Sequence, residues 1–325
     1  MESLLKTVDK SDNLYYNITN MLEGSNMNKI LVTGGAGFVG SNLCKRLSEQ
    51  GNLVVSLDNY SSGSELNHHE DVHYIQGDTA DIFDLFGYQP HSRKIFKNQF
   101  DYIFHLGEYA RVEQSFDDYE TVMEYNYMSF PVVLDFAKQS NAKLIYSGSS
   151  TKFSVGEEGK MMSPYAFTKA QNTEFLKAYS KWNNLEYCIV YFYNVYGDNE
   201  IAHGDYATVI AKFLNMVKSG QEHLPITAPG TQRRNFTHVN DIVDGLIMAG
   251  FKGTGDGWGI GCDKSYEIQE LPKLMGVKPL MMEAKPGNRM AGELKTDKLK
   301  ALGWECKHSL EDYIMEKLNG EMDIQ

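Results

Sequence analysis

The segment Ser163-Pro-Tyr-Ala-Phe-Thr-Lys169 places a phenol and an ammonium four residues apart. On a helix, Tyr165 and Lys169 therefore project from one face, about 5–6 Å apart at Cβ. A free phenol, with a pKa of ~10, is a poor base at neutrality, and a neighbouring positive charge lowers that value. Such a pair can make a phenolate that takes a proton from a hydroxyl. YxxxK is also an ordinary surface pairing, so its meaning depends on what precedes it. Upstream, Tyr146-Ser-Gly-Ser-Ser-Thr151 closes an apolar run with a row of hydroxyls. At the carboxyl end of a strand, where open sheets bind ligands, a hydroxyl there could donate to the oxygen that Tyr165 deprotonates. The competing reading is a polar loop that caps a helix.

The segment Lys29-Ile-Leu-Val-Thr-Gly-Gly-Ala-Gly-Phe-Val-Gly40 sets Gly34, Gly37 and Gly40 between a strand-forming run and a helical pattern. Glycine permits the tight turn and lets a pyrophosphate reach backbone N–H groups at the positive helix end. Asp58 lies 18 residues beyond Gly40, at the end of the next apolar run. An acid there accepts both ribose hydroxyls of an adenosine and repels a 2′-phosphate, which favours NAD over NADP. A turn aspartate in Asp58-Asn59 is the alternative. Asp78, at the end of the third run, reads either as an adenine contact or as a helix N-cap.

The elements that position these residues follow from periodicity. Apolar runs at Ile30–Thr33, Leu53–Leu57, Val72–Ile75, Tyr102–Leu106, Lys143–Ser147 and Tyr187–Phe192 alternate with helix-period stretches. That rhythm describes βαβ units and an α/β doubly wound parallel sheet. Residues 1–28 read as an N-terminal extension, 29–194 as the dinucleotide-binding domain and 195–325 mainly as a substrate-binding domain, with 236–255 packing back on the first. Within the last part, Ala202–Tyr206 and Ala228–Thr231 read as loops.

Composition narrows the functional classes. With 43 acidic against 31 basic residues the 325-residue chain has a net charge of −12, which argues against a nucleic-acid partner. Cys44, Cys188, Cys262 and Cys306 are scattered, which gives neither a disulfide scaffold nor zinc spacing, so no metal is expected and a reducing cytoplasm fits. Apolar runs are broken within about ten residues, too short to span a membrane.

Together with Asp58-Asn-Tyr-Ser-Ser-Gly63, His105-Leu106 with Val112, Asn126, Tyr193-Asn194-Val-Tyr-Gly197, Gln232-Arg-Arg-Asn-Phe236 with Asp241, and Leu302-Gly303-Trp304, these motifs carry a family resemblance. From about Lys29 to Tyr313 the chain resembles the extended short-chain dehydrogenase/reductase family, in its NAD-dependent nucleotide-sugar epimerase/dehydratase branch. The resemblance implies a Rossmann sheet with a smaller C-terminal α/β domain that binds the nucleotide sugar. It also implies a homodimer through the helices of Asn126 and Tyr165, to which Val132, Val133, Phe136, Phe167, Phe175 and Leu176 could supply an apolar face.

By matching position, Tyr165 looks like the catalytic base, Lys169 its partner and ribose ligand, and Ser149 the hydroxyl donor. Phe38, Asn59 and Leu106 join Gly34, Gly37, Gly40, Asp58 and Asp78 around NAD. Asn194 looks like a ligand of the nucleotide sugar, Arg234 like the arginine on its diphosphate, and Lys285 like a weaker second contact. Arg233 is expected to face solvent or pair with an acid.

In this family the tyrosine removes the C4 hydroxyl proton as hydride passes from C4 to NAD. Dehydratases then need an acidic pair directly after the Ser/Thr, and decarboxylases usually keep a Glu there. This chain has Ser150 and Thr151. The easiest fate of the 4-keto sugar is then rotation and return of hydride to the opposite face. The expectation is C4 epimerisation of a UDP-hexose, UDP-glucose/UDP-galactose or an N-acetyl or uronate relative. The alternative is a 4,6-dehydratase, a decarboxylase or an epimerase at another carbon.

Several positions depart from the family pattern. Ser149 and Tyr165 are only 16 apart, Phe153-Ser154 replaces Tyr-Gly, and Glu108 follows His105-Leu106-Gly107 where a small residue is usual. Tyr191 stands where Arg is common, and Lys285-Pro-Gly-Asn288 replaces Arg-Pro-Gly-Asp.

Overall fold

A computed structural model describes residues 27–86, 99–149, 161–192, 194–204, 206–283 and 295–320. The six apolar runs form strands β1 (Lys29–Thr33), β2 (Leu53–Asp58), β3 (Val72–Gln76), β4 (Tyr102–His105), β5 (Lys143–Gly148) and β6 (Tyr187–Phe192). Shorter strands follow: β7 (Val195–Tyr196), β8 (His223–Thr227), β9 (Arg233–Asn235) and β10 (Thr237–His238). Then come β11 (Gly255–Ile260), β12 (Ser265–Glu267) and β13 (Lys278–Met282). The longer helices are α1 (Phe38–Glu49), α2 (Phe130–Ser140), α3 (Pro164–Asn183), α4 (Val209–Lys218), α5 (Val239–Lys252) and α6 (Leu310–Asn319).

Seven strands form one parallel sheet in the order β11-β6-β5-β4-β1-β2-β3. The build-out reverses between β1 and β4, so their carboxyl ends open a crevice where ligands of such sheets bind. Successive strand residues point to opposite faces. Leu31, Val55, Leu57 and Leu144 thus meet α2 and α3 in one core, whereas Ile30, Val32, Val54 and Ile145 meet α1 and α5 in the other. With helices on both faces the strands carry continuous apolar runs, and β2 is buried at every position.

That layering corrects one expectation. Val133, Phe136 and Leu176 are fully buried in the first core, and Val132 and Phe175 pack against it. These five cover the sheet, because a helix on a parallel sheet spends its apolar stripe on strand residues, whereas Phe167 is half-buried and stands outside that core. Exposed large apolar side chains of this region include Phe116, Tyr119, Tyr127 and Met128, just before α2, and Trp182 near the end of α3.

After Asn194 the chain serves two assemblies. α5 and β11 return to the large sheet, with Trp258, Leu299 and Trp304 in its core. The pairs β8–β13 and β9–β12, with α4 and α6, enclose a smaller core around Ile210, Phe213, Leu224, Phe236 and Leu310. Cys262 and Cys306, 44 residues apart, form a disulfide. Nothing in the spacing of the cysteines points to it, because the fold alone brings the end of β11 beside the segment before α6. Among the described residues no helix is long and apolar enough to cross a membrane.

Candidate active site

A cavity of about 560 Å³ opens at the carboxyl ends of the central strands. Its wall includes Gly34, Gly37, Phe38, Val39 and Gly40, then Asp58, Asn59 and Asp78, and opposite them Tyr165, Lys169, Asn194 and Phe236. The three motif glycines are needed for three different reasons. Gly34 has φ +72°, in the left-handed region, and a Cβ there would lie 2.8 Å from the Gly107 nitrogen. A Cβ on Gly40 would lie 2.0 Å from the Gly34 oxygen, so this position closes the turn against the helix. Gly37 caps α1 and meets only one atom, at 3.3 Å, which leaves its cavity side open to a ligand. The first N–H groups of α1 have no intrahelical acceptor. A bare glycine surface leading to those donors fits a pyrophosphate.

Asp58 is held in place by the loop it serves: Oδ2 accepts from Ala36 N at 2.9 Å and Oδ1 from Tyr60 N at 2.8 Å. Each carboxylate oxygen retains a further lone pair for a ribose hydroxyl. Asp78 accepts from Ala80 N at 2.9 Å, which makes it the cap of a 3₁₀ turn, and from Asn59 Nδ2 at 3.1 Å. It also lines the cavity, so its two sequence readings are compatible.

The start of α3 fixes the reactive pair. Ser163 Oγ accepts from Ala166 N at 3.1 Å and Pro164 occupies the first turn. Tyr165 follows at the positive end of the helix, and Lys169 lies one turn deeper. The Lys169 ammonium pairs with Glu108 Oε2 and donates to the Ser147 carbonyl at 2.8 Å. It sits 5.2 Å from the centre of the Tyr146 ring.

Glu108 also accepts from the Tyr146 hydroxyl at 3.1 Å and from Asn172 Nδ2 at 2.9 Å, and His105 Nε2 is 3.6 Å away. Burial alone would raise this carboxyl, but the Lys169 ammonium and His105 outweigh it and hold Glu108 below the usual glutamate value. Burial beside that carboxylate pushes the Tyr146 phenol far up, so it stays a donor. Asn126, in a π-helical turn over Met123–Met128, bonds Tyr109 through Oδ1 at 2.6 Å and Nδ2 at 3.1 Å. Its carbonyl accepts from Asn172 at 2.6 Å.

The remaining residues expected at the site divide. Leu106 and Asn194 line the cavity, and Asn194 Nδ2 is tied to the Asn235 carbonyl at 3.1 Å. Ser149 is buried directly after β5, where the described lining consists of Ser147 and Gly148. Arg234, on β9, donates to the Arg233 carbonyl at 2.9 Å and is not among the described lining residues. Arg233 pairs with Glu267 at 3.4 Å. Lys285, Ser150, Thr151, Phe153, Ser154 and Tyr193 lie outside the described residues.

Sequence reasoning missed Glu108 as part of the site, together with Asn172 and Arg111. The half-buried Arg111 guanidinium lines the cavity, donates twice to the Tyr206 carbonyl at 3.1 and 2.7 Å, and is close enough to Tyr165 to interact electrostatically. An arginine beside Val112 carries no local signal of burial. A charged residue where small ones are usual did carry a signal at Glu108.

Residues 30–261 match the model of the NAD dependent epimerase/dehydratase family. The chain belongs to that family, and NAD is its cofactor. It is 27% identical over 309 residues to a UDP-glucose 4-epimerase of Mycolicibacterium smegmatis, covering 88% of this chain and 96% of that one. It is also 28% identical over 257 residues to a UDP-N-acetyl-alpha-D-glucosaminuronate decarboxylase of Bacillus cytotoxicus, covering 75% and 78%. Among solved structures it is similar to the UDP-glucose 4-epimerase of Thermotoga maritima with UDP-glucose. That match has a TM-score of 0.78 and 26% identity, and it covers 91% of this chain and 100% of the other.

Proposed function

We propose that this protein epimerises a UDP-hexose at C4, with UDP-glucose and UDP-galactose as the leading pair. The observation that carries the reading is the placement of Tyr165 and Lys169 on the wall of a cavity that holds the glycine cradle on one side and Asn194 and Phe236 on the other. Tyr165, as phenolate, takes the proton from O4 of the sugar, and Ser149 donates a hydrogen bond to the same oxygen. NAD held by the glycine turn and Asp58 would supply hydride acceptance and return at C4. Once the 4-keto ring has turned over, Tyr165 gives its proton back to O4 of the epimer. Asn194, Arg234 and Lys285 hold the nucleotide and its diphosphate during that rotation.

The carboxylates favour epimerisation over elimination. Those among the described lining residues are Asp58, Asp78 and Glu108. The first two sit at the β2 and β3 ends, and the third is locked against Lys169. None of them is free to act as acid or base at C5 and C6, as a dehydratase requires. The reading includes a homodimer, supported by the exposed Phe116, Tyr119, Tyr127 and Met128.

Incubation with a panel of UDP- and dTDP-linked hexoses, hexosamines and hexuronates tests the proposal. Product analysis should find pairs of C4 epimers. A 4-keto-6-deoxy sugar or a pentose as the main product would overturn it.

A further inference from the structure

Glu108 stands where the family's small residue is expected, and the reaction as described gives it no part. Its side chain is 0% exposed and that of Lys169 is 5%. A charge so deeply buried is kept only with compensation. Here every facing group is a donor. Lys169 and Asn172 approach from α3, Tyr146 from β5, and His105 from β4. Behind His105, Thr33 Oγ is 2.7 Å from Nδ1 and accepts from Gly107 N at 3.1 Å. The His105 ring thus lies between Thr33, at Nδ1, and Glu108, 3.6 Å from Nε2. The glycine turn, the sheet and α3 thus converge on one carboxylate. On the cavity side a charged neighbour of Tyr165 among the described residues is Arg111, which lies 5.9 Å from the centre of the Tyr206 ring and donates to the Tyr206 carbonyl.

From this geometry we infer that Glu108 is a positioning residue for the chemical step: it clamps the Lys169 ammonium against the Ser147 carbonyl and tempers its field at Tyr165. The inference rests on the reading of Tyr165 as the acid and base. An ammonium has three donors. Glu108 and the Ser147 carbonyl take two, Ser147 Oγ lies 3.5 Å away, and the Lys169 side chain also lines the cavity. The charge consequence follows from Coulomb's law, since an ion pair acts on a third group as a dipole and a lone ammonium as a full charge. A 4-epimerase must recover the proton it removes. A phenol held strongly ionised by an uncompensated lysine would take the O4 proton and return it poorly. The neutralised pair lets one residue serve in both directions.

The test uses the NAD-loaded enzyme without substrate. Ultraviolet difference titration, with the matching Tyr165→Phe protein subtracted, reads the Tyr165 phenolate alone. In Glu108→Gln the midpoint should fall by about one pH unit. The acid limb of kcat on a nucleotide sugar should move by the same amount. Glu108→Asp, which keeps the charge, should stay near the wild-type midpoint. If Glu108→Gln does not fold, Glu108→Ala provides the same reading.

An unmoved midpoint, or one that rises, overturns the inference; so does activity that falls equally at every pH, which marks a merely structural role. Because the titration needs no turnover, its outcome is separable from that of the epimerase reading. A shifted midpoint in a protein that epimerises no sugar supports the clamp and sinks the reaction.

Discussion

The cofactor side and the sugar side of the cavity are built by different means. On the cofactor side, backbone shape does most of the work. Gly34 and Gly40 exclude side chains, Gly37 leaves an opening, and Asp58 is pinned by two main-chain N–H groups. On the sugar side, side chains hold one another. Lys169, Glu108, Tyr146 and Asn172 form one network, while Tyr109 and Tyr206 share Asp118 at 2.6 and 2.8 Å. A site made from backbone turns can be shared by many enzymes of one family. A site made from a side-chain network is particular to its chain.

The largest expected effect separates the two sides cleanly. Tyr165→Phe removes one oxygen and little volume, and general-base catalysis contributes about 10²–10⁴-fold. Turnover should fall by at least that order while NAD remains bound, as measured by kcat and by NAD released on denaturation. Loss of NAD together with activity would show that the two sides are not independent. Lys169→Met should behave differently, because it strands the buried Glu108 carboxylate. Removing one partner of such a pair costs about 3–5 kcal/mol, so its thermal midpoint should drop where that of Tyr165→Phe does not.

A smaller effect is expected at the diphosphate. A charge-assisted hydrogen bond is worth about 1.5–3 kcal/mol, so Arg234→Ala should raise KM for the nucleotide sugar by roughly tenfold or more. Arg233→Ala, whose guanidinium is occupied by Glu267 and Ser265, should change it little. The reverse order in KM would assign the diphosphate to the wrong arginine and move the boundary of the sugar side.

What the sequence could and could not convey follows the same division. Six of the seven strands of the large sheet were legible, because burial leaves short apolar runs bounded by glycines and helix caps; the edge strand β11 was not, since Gly255-Asp-Gly-Trp-Gly-Ile260 carries three glycines and no apolar run. The positions of Tyr165 and Lys169 were legible because an i,i+4 spacing on a capped helix fixes their relation. The Glu108 clamp was not, since its partners come from positions 105, 146, 169 and 172, and only sheet order brings them together. Nor was the Cys262–Cys306 link, which joins the end of the sheet to the segment before α6. Five of the six apolar residues of α2 and α3 expected at an interface cover the sheet instead, because hydrophobic spacing shows that a helix has a buried face and not what buries it.

Transfer of a label from C4 is the most direct test of the central claim that this cavity takes hydride from C4 and returns it there. UDP-galactose carrying deuterium at C4 is incubated with the holoenzyme in ordinary water, and the position of deuterium in the products is read by NMR. The account predicts that both epimers keep deuterium at C4, with none exchanged into solvent and none at C6. Deuterium at C6 of a 4-keto-6-deoxy product, or its loss to water, would contradict it.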